Sequence, residues 1–233
     1  LHVLVQLENI FLLVTIGIIV FFSAWFNFHA LKIGKLGVVE FVLEIELPIT
    51  IFLGIVFFQE SISFSEWAWI GFLFMGIILI SLKKISFHSH HFIEKGVVYA
   101  AAATIFMGSI NFLTASAART ISPFLAIAVP WLVAAVVSVV YLIQKKELKK
   151  SWKKIQTHGM LSLSTGIIDT MAWVFFALAL SSHSLSITTA ITESYAAVAL
   201  LLGVWVNQEK VSHHQWLGAL LALVASVGLG LLS

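Results

Sequence analysis

Four acidic side chains stand where acids are least at home, inside long apolar runs. Asp169 sits at the middle of one such run, and Glu44 and Glu193 lie near the middle of two others; Glu46 follows Glu44 on a different helical face. On insertion scales a charged group at the centre of a membrane span costs about 2.5 to 3.5 kcal/mol, so such groups face a bundle interior or a wet cavity. No Lys or Arg lies at comparable depth. The acids must then be protonated, hydrated, matched by a cationic substrate, or bonded to a neighbour such as Thr192, Thr170 or Asn111. The chemistry on offer is binding of a solute or a proton. Trp131 and Trp173 are tryptophans near mid-run, where a ring face can hold an ammonium group by cation–π attraction or simply fill space. Pro48 and Pro130 also fall near mid-run; each removes a backbone donor and predicts a kink, and carbonyls freed at that depth need a cavity or a partner. Glu40, one turn before Glu44, is closer to the lysine-rich end and reads as solvated.

The elements that position these residues follow from composition. The chain has 233 residues, 60% hydrophobic and 10% charged, with a mean hydropathy of +1.04. Soluble domains carry about 25% charged residues, so this composition is that of an integral membrane protein. Cysteine is absent, which excludes disulfides, thiolate metal sites and cysteine nucleophiles. A pI near 8.9 could suggest nucleic acid, but the lysines lie in connections between apolar runs, where positive charge sets orientation instead. Apolar runs of about 20 residues, enough to cross a bilayer as helices, recur over residues 10–31, 37–58, 66–82, 96–117, 122–142, 158–180, 185–206 and 211–232. The predicted fold is therefore all-α, with eight transmembrane helices, short connections, and longer loops over 83–95 and 144–157. Trp67, Trp69, Trp152, Trp205 and Trp216 fall near span ends and read as interface anchors.

The chain is also written twice. Displaced by 149 positions without a gap, Gly17 meets Gly166, Phe26 meets Phe175, Leu36 meets Leu185, Glu44 meets Glu193 and Gly54 meets Gly203. Gln59-Glu60 falls on Gln208-Glu209, Ser63 on Ser212 and Trp67 on Trp216. Two helices precede the matching part of the second copy and none precedes it in the first, and the chain opens without Met. The expectation is a ten-helix protein of which eight helices are present: residues 1–83 hold the last three helices of a first five-helix repeat, 84–95 join the repeats, and 96–233 form a complete second one.

Matched helices are five spans apart, an odd number, so the copies must be inverted. Charge agrees: Lys32 and Lys35 match Ser181 and Ser184, Lys83 and Lys84 match Leu232 and Ser233, and Lys210 matches Ser61. Alternation puts twelve lysines on one face and Arg119 alone on the other. The connections at 32–35, 83–95, 144–157 and Lys210 are accordingly expected in the cytoplasm, the C-terminus outside, and the protein in a bacterial-type plasma membrane. Inversion about an axis in the membrane plane places Glu44 and Glu193 across a central cavity, as at a transport site.

Gln59-Glu60 and Gln208-Glu209 end their helices just before Ser63–Trp67 and Ser212–Trp216, so Glu60 and Glu209 are expected to accept hydrogen bonds from backbone donors of those adjacent turns. His88, His90 and His91 read as a solvated linker, as do His213 and His214, and no metal or cofactor is expected. No G-x-S-x-G, H-E-x-x-H or phosphate-cradling glycine loop occurs, which argues against an enzyme.

Taken together these residues resemble the EamA-type transporters of the drug/metabolite transporter superfamily. In that family each unit ends with a helix, often carrying Pro, that runs into Gly and Glu and is followed by a helix opening Q-x-x-G. Here Pro48 runs to Gly54 and Glu60, and Ala197 to Gly203 and Glu209, followed by Gln215-Trp216-Leu217-Gly218. Met107-Gly108-Ser109-Ile110-Asn111-Phe112 and Ser122-Pro123 are similar to the W-G-x-x-F and Ser-Pro of a unit's start, without the Trp. The likeness covers nearly the whole chain; Ala197 departs from it, and so does the outside C-terminus. It implies a ten-helix inverted-repeat carrier without an ATP site, moving small metabolites, commonly amino acids or related solutes. The substrate- or proton-binding set is then Glu44, Asp169, Glu193, Trp173, Asn111 and Trp131. The kinks are Pro48 and Pro130, and Gly54, Glu60, Gly203, Glu209 and Gly218 shape the repeat. Efflux of amino-acid-like solutes by alternating access is the leading expectation. A carrier of choline-like or polyamine-like cations and a truncated, non-transporting membrane partner are the alternatives. Expected partners are the lipid bilayer and a small-molecule substrate, with proton coupling and homodimerisation left open and no nucleic acid.

Overall fold

The computed structural model describes residues 7–34, 36–81, 95–208 and 211–232. The regular elements among them are α-helices: α1 (Leu7–Ile33), α2 (Leu36–Leu43), α3 (Glu46–Phe58), α4 (Phe64–Ser81), α5 (Lys95–Thr120), α6 (Pro123–Gln144), α7 (Leu148–Thr157), α8 (Gly159–Ser182), α9 (Leu185–Glu193), α10 (Tyr195–Asn207) and α11 (His213–Leu232). Seven segments of the described residues are long and apolar enough to cross a membrane; α9 and α10 together make one of them, and α3 is a shorter apolar helix. Large apolar side chains such as Phe11, Phe52, Leu161 and Leu231 are exposed, the arrangement of a protein whose solvent is lipid. The expected pattern of spans and loops changes in two places. The expected span over 37–58 is two helices meeting at Glu44-Ile45, and the expected loop over 144–157 is mostly the helix α7. Of the expected joining loop over 84–95 only Lys95 is described, as the first residue of α5, and Glu209 and Lys210 lie outside the described residues.

Element boundaries recur at the displacement seen in the sequence: α3 and α10 both have 13 residues and begin 149 positions apart. Both end on a glutamine in the left-handed region, Gln59 at φ 54° and Gln208 at φ 54°, whose N–H bonds back to the carbonyl of Gly54 and Gly203 respectively. A left-handed residue closing a helix satisfies one of its orphan carbonyls. The following helices start alike. Ser63 and Glu66 form a reciprocal capping box, with the Ser63 N–H donating to Glu66 Oε2 at 2.6 Å and the Glu66 N–H to Ser63 Oγ at 3.3 Å. Ser212 and Gln215 make one half of that pairing, the Ser212 N–H donating to Gln215 Oε1 at 3.1 Å, while the Gln215 N–H goes to the Ser212 carbonyl at 3.1 Å.

The chain packs as two compact units, one of residues 1–22 and 113–182, the other of residues 23–112 and 183–233. In the first, Leu13, Ile16, Ala117, Ala126, Ile127 and Ala177 form the core between α1, α5, α6 and α8. Gly17 is required there, because a Cβ would stand 2.7 Å from the Pro130 carbonyl oxygen. Arg119, at the end of α5, donates from Nε to the Leu180 carbonyl of α8 at 3.0 Å. In the second unit, α4 and α11 lie backbone against backbone. A Cβ on Gly76 would meet the Gly218 carbonyl oxygen at 2.7 Å, and one on Gly218 would meet that of Gly76 at 2.6 Å. Lipid supplies no hydrophobic force between helices, so close approach of small residues is what holds such a pair. Gln215 adds a donor, from Nε2 to the Ile80 carbonyl at 2.9 Å.

Candidate functional site

The second unit contains two interrupted helices, and the acids sit at the interruptions. The first break follows Leu43, at Glu44-Ile45, and Pro48 occupies the third position of the helix that resumes. Proline is tolerated in a first helical turn because the N–H it lacks has no intrahelical partner there. Pro48 thus marks the restart of a helix and does not kink a continuous one. The second break falls at Ser194, directly after Glu193, although Ala197 stands where the first copy has Pro48. Its causes are local. Ser194 donates from both N (3.2 Å) and Oγ (2.7 Å) to the Ile191 carbonyl, and the Ala197 N–H bonds to the Ser194 carbonyl at 3.0 Å, a tightened turn in place of α-helical spacing. Pro130 behaves differently again: α6 continues through it, and its side chain is buried.

Glu44, Glu46 and Glu193 are near enough to feel one another's charge. Glu46 is the deepest of them, 8% exposed. Asn111 of α5 donates from Nδ2 to Glu46 Oε1 at 2.7 Å and to Thr50 Oγ1 at 3.3 Å. Gly108, one turn earlier, makes this reach possible: a Cβ there would stand 2.6 Å from Cγ2 of Ile49, so only a glycine lets α5 close onto α3. Ser81 of α4 donates to Glu44 Oε1 at 3.3 Å. On α9, Thr189 lies one turn before Glu193, and its buried hydroxyl has no hydrogen-bond partner among the described residues. Thr192 gives its proton to the Thr188 carbonyl of its own helix. None of α2, α3, α9 and α10 carries a Lys or Arg.

The remaining expected site residues are elsewhere. Asp169 is exposed on α8, in the first unit. Thr170 beside it lines an open apolar groove of about 770 Å³ with Phe124, Gly166, Val174, Phe175 and Leu178, and Asp169 is not among its walls. Trp131 and Trp173, also in the first unit, meet edge to face with centroids 5.2 Å apart, and Trp173 meets Phe176 at 5.6 Å. They pack on the Leu13 and Ile16 core, which is the space-filling alternative of the two open to them.

Glu60 does bond backbone donors, but not those of the adjacent turn. Its Oε1 accepts from the Leu185 N–H at 2.5 Å, and its Oε2 from the Ser186 N–H at 2.9 Å and the Ser186 hydroxyl at 2.7 Å. It therefore closes the N-terminus of α9, where an acceptor and a negative charge are both favoured. Gly54 clears the space, since a Cβ would stand 2.7 Å from Glu60 Oε2 and 2.8 Å from Ser186 Oγ. The adjacent turn is served instead by Glu66.

One aromatic group lies outside the residues that the sequence singles out. Trp25 and His29, one turn apart on α1, lie with ring centroids 4.0 Å apart and tilted by 32°; Trp25 meets Tyr99 of α5 at 6.0 Å, and His29 stacks on Tyr99 at 5.8 Å. His29 Nδ1 donates to the Trp25 carbonyl at 2.8 Å. The spacing of Trp25 and His29 was the available signal.

The family model described as the EamA-like transporter family matches residues 94–231, more than half of the chain. The chain belongs to the EamA-like transporter family. It is a multi-pass membrane protein of a transporter family, and that family is not one of enzymes. No curated protein matches the sequence closely enough to add a relative. The match takes in Asn111, the break at Ser194, the capped glycine helix end at Gly203 and the Gln215–Gly218 opening of α11, so the EamA region carries Glu193, one of the three acids, and the donor to Glu46.

Proposed function

We propose that this EamA protein is a secondary carrier of small metabolites, exporting amino-acid-like solutes by alternating access between two inverted copies of one five-helix unit. The observation that carries the reading is the meeting of Glu44, Glu46 and Glu193 at the breaks of two apolar helices. Carriers place substrate and ion sites near mid-membrane on discontinuous helices, because an interrupted helix offers unpaired backbone groups where a continuous one offers none. A solute bearing an ammonium group, or a proton, supplies the positive charge that those helices lack.

Inversion is supported from within the second unit. Glu60 follows α3 and holds the start of α9, so the exit of the 36–58 span and the entry of the 185–207 span share a face. The entry of α2 is at the other end of its own span. Matched helices α2 and α9 therefore enter from opposite faces. On this reading the lysine-rich connections face the cytoplasm, with the protein in the plasma membrane.

The three neighbouring carboxyl groups also favour a second reading, a carrier of organic cations such as choline-like or polyamine-like solutes. Proteoliposomes of the full-length protein, offered labelled neutral amino acids, choline and spermidine with and without a pH gradient, separate the two. Saturable exchange of amino acids is the expected result; exchange of the cations alone selects the second reading. Movement of neither, in vesicles shown to hold folded protein, leaves a non-transporting membrane protein.

A further inference from the structure

Between the membrane spans α6 and α8, the helix α7 buries none of its side chains. Its sequence, LKKSWKKIQT, puts Leu148, Trp152 and Ile155 at positions i, i+4 and i+7, along one face. These three are 37, 60 and 49% exposed. Lys149, Lys150, Lys153 and Lys154 occupy the opposite arc, and Lys145 and Lys146 precede them, against Glu147 alone. A short helix with an apolar stripe and a lysine arc covers neither a protein core nor a solvated linker well. It suits the boundary between acyl chains and headgroups, the stripe immersed and the long lysine stems reaching back to the phosphates.

Covalent placement decides which surface the helix meets. Gln144, the last residue of α6, and Gly159, the first of α8, each lie within a few residues of α7. Both neighbours are spans, so α7 is confined to the bilayer surface where they emerge. We propose that α7 is an interfacial helix that docks on anionic phospholipid headgroups and pins the α6–α8 connection to the membrane surface. The charge on the helix complements a lipid surface of opposite sign, and Trp152 is the side chain suited to the headgroup boundary. The inference rests on the chain being a multi-pass membrane protein and not on which solute it moves.

The test uses the whole protein. Because the sequence has no cysteine, Ser151→Cys carries an environment-sensitive fluorophore next to the apolar stripe without background. The protein is reconstituted in vesicles of phosphatidylcholine alone or with one quarter phosphatidylglycerol. The expected result is a blue-shifted probe, shielded from aqueous iodide several-fold more strongly in the phosphatidylglycerol vesicles, with the difference reduced by high salt as screening requires. Replacing Lys149, Lys150, Lys153 and Lys154 by Gln removes the lipid dependence, whereas replacing them by Arg retains it. A probe equally open to iodide in both lipids would overturn the proposal. So would a lipid dependence that survives the four Gln substitutions, or a response to soluble phosphate equal to that seen with phosphatidylglycerol. An unchanged melting temperature for the Gln variant shows that the spans are still folded when the lipid effect is read.

Discussion

Transport by the Glu193→Gln variant falls by about 30-fold or more while the protein remains in the membrane at the parent's abundance. The size follows from what a lost partner costs: removing one member of a buried charge contact costs about 2 kcal/mol or more, and 1.4 kcal/mol is a factor of ten. Glutamine keeps the volume and the polarity of Glu193 and loses only the capacity for negative charge. Folding should therefore survive, the more so because Glu193 ends α9 next to two other carboxyl groups whose mutual repulsion the change relieves. The check is initial-rate exchange in proteoliposomes, normalised to folded protein. If protons drive the parent, an imposed pH gradient no longer accelerates the variant. Exchange at the parental rate would remove Glu193 from the mechanism.

Gly54→Leu acts on stability. Even the first carbon of the new side chain would stand 2.7 Å from Glu60 Oε2 and 2.8 Å from Ser186 Oγ, so the carboxylate must leave the α9 terminus. Two backbone N–H donors and one hydroxyl lose their acceptor. Hydrogen bonds to a charged group contribute about 1.5 to 3 kcal/mol each, and a vacated helix start keeps part of its bonding through water, so the expected loss is about 3 kcal/mol. It is read as a lowered melting temperature in detergent micelles. Glu60→Gln keeps one acceptor oxygen and loses the charge, and falls between parent and Gly54→Leu. A Gly54→Leu protein that melts with the parent would show that Glu60 does not hold α9.

These two residues also show what the amino-acid sequence tells and where it stops. The repeated Gln-Glu pair at Glu60 and Glu209, and the reading of Glu60 as an acceptor for backbone donors, came from one-dimensional pattern. Which donors it serves did not, because Leu185 is 125 positions away and the nearer turn had a better placed acid in Glu66. Helix type is legible along the apolar runs, since apolar length alone decides it in lipid. Helix continuity is not. Pro48 pointed to the first interruption, but at Ser194 the cause is a serine turned back on the Ile191 carbonyl, in a stretch with no breaker residue. Charge alone makes 145–154 look like a loop, whereas the i, i+4, i+7 spacing of Leu148, Trp152 and Ile155 carries the signal of the helix. Among the acids, Glu44 and Glu193 stood out by matching under the displacement. Glu46, with no acidic counterpart at Tyr195, is the one that Asn111 reaches. Depth along its helix singles out Asp169, but depth says nothing of the side to which a residue points, and the side chain is exposed.

The central claim is that one helical unit was copied and turned over, which brings acids on two broken helices to one place. It is tested most directly by single cysteines at the matched positions Lys32 and Ser181, in a chain that has no other cysteine. With a membrane-impermeant thiol reagent on intact cells, Ser181→Cys is expected to be labelled from outside and Lys32→Cys only once the membrane is opened. Labelling of both cysteines from the same face of the membrane would contradict the account.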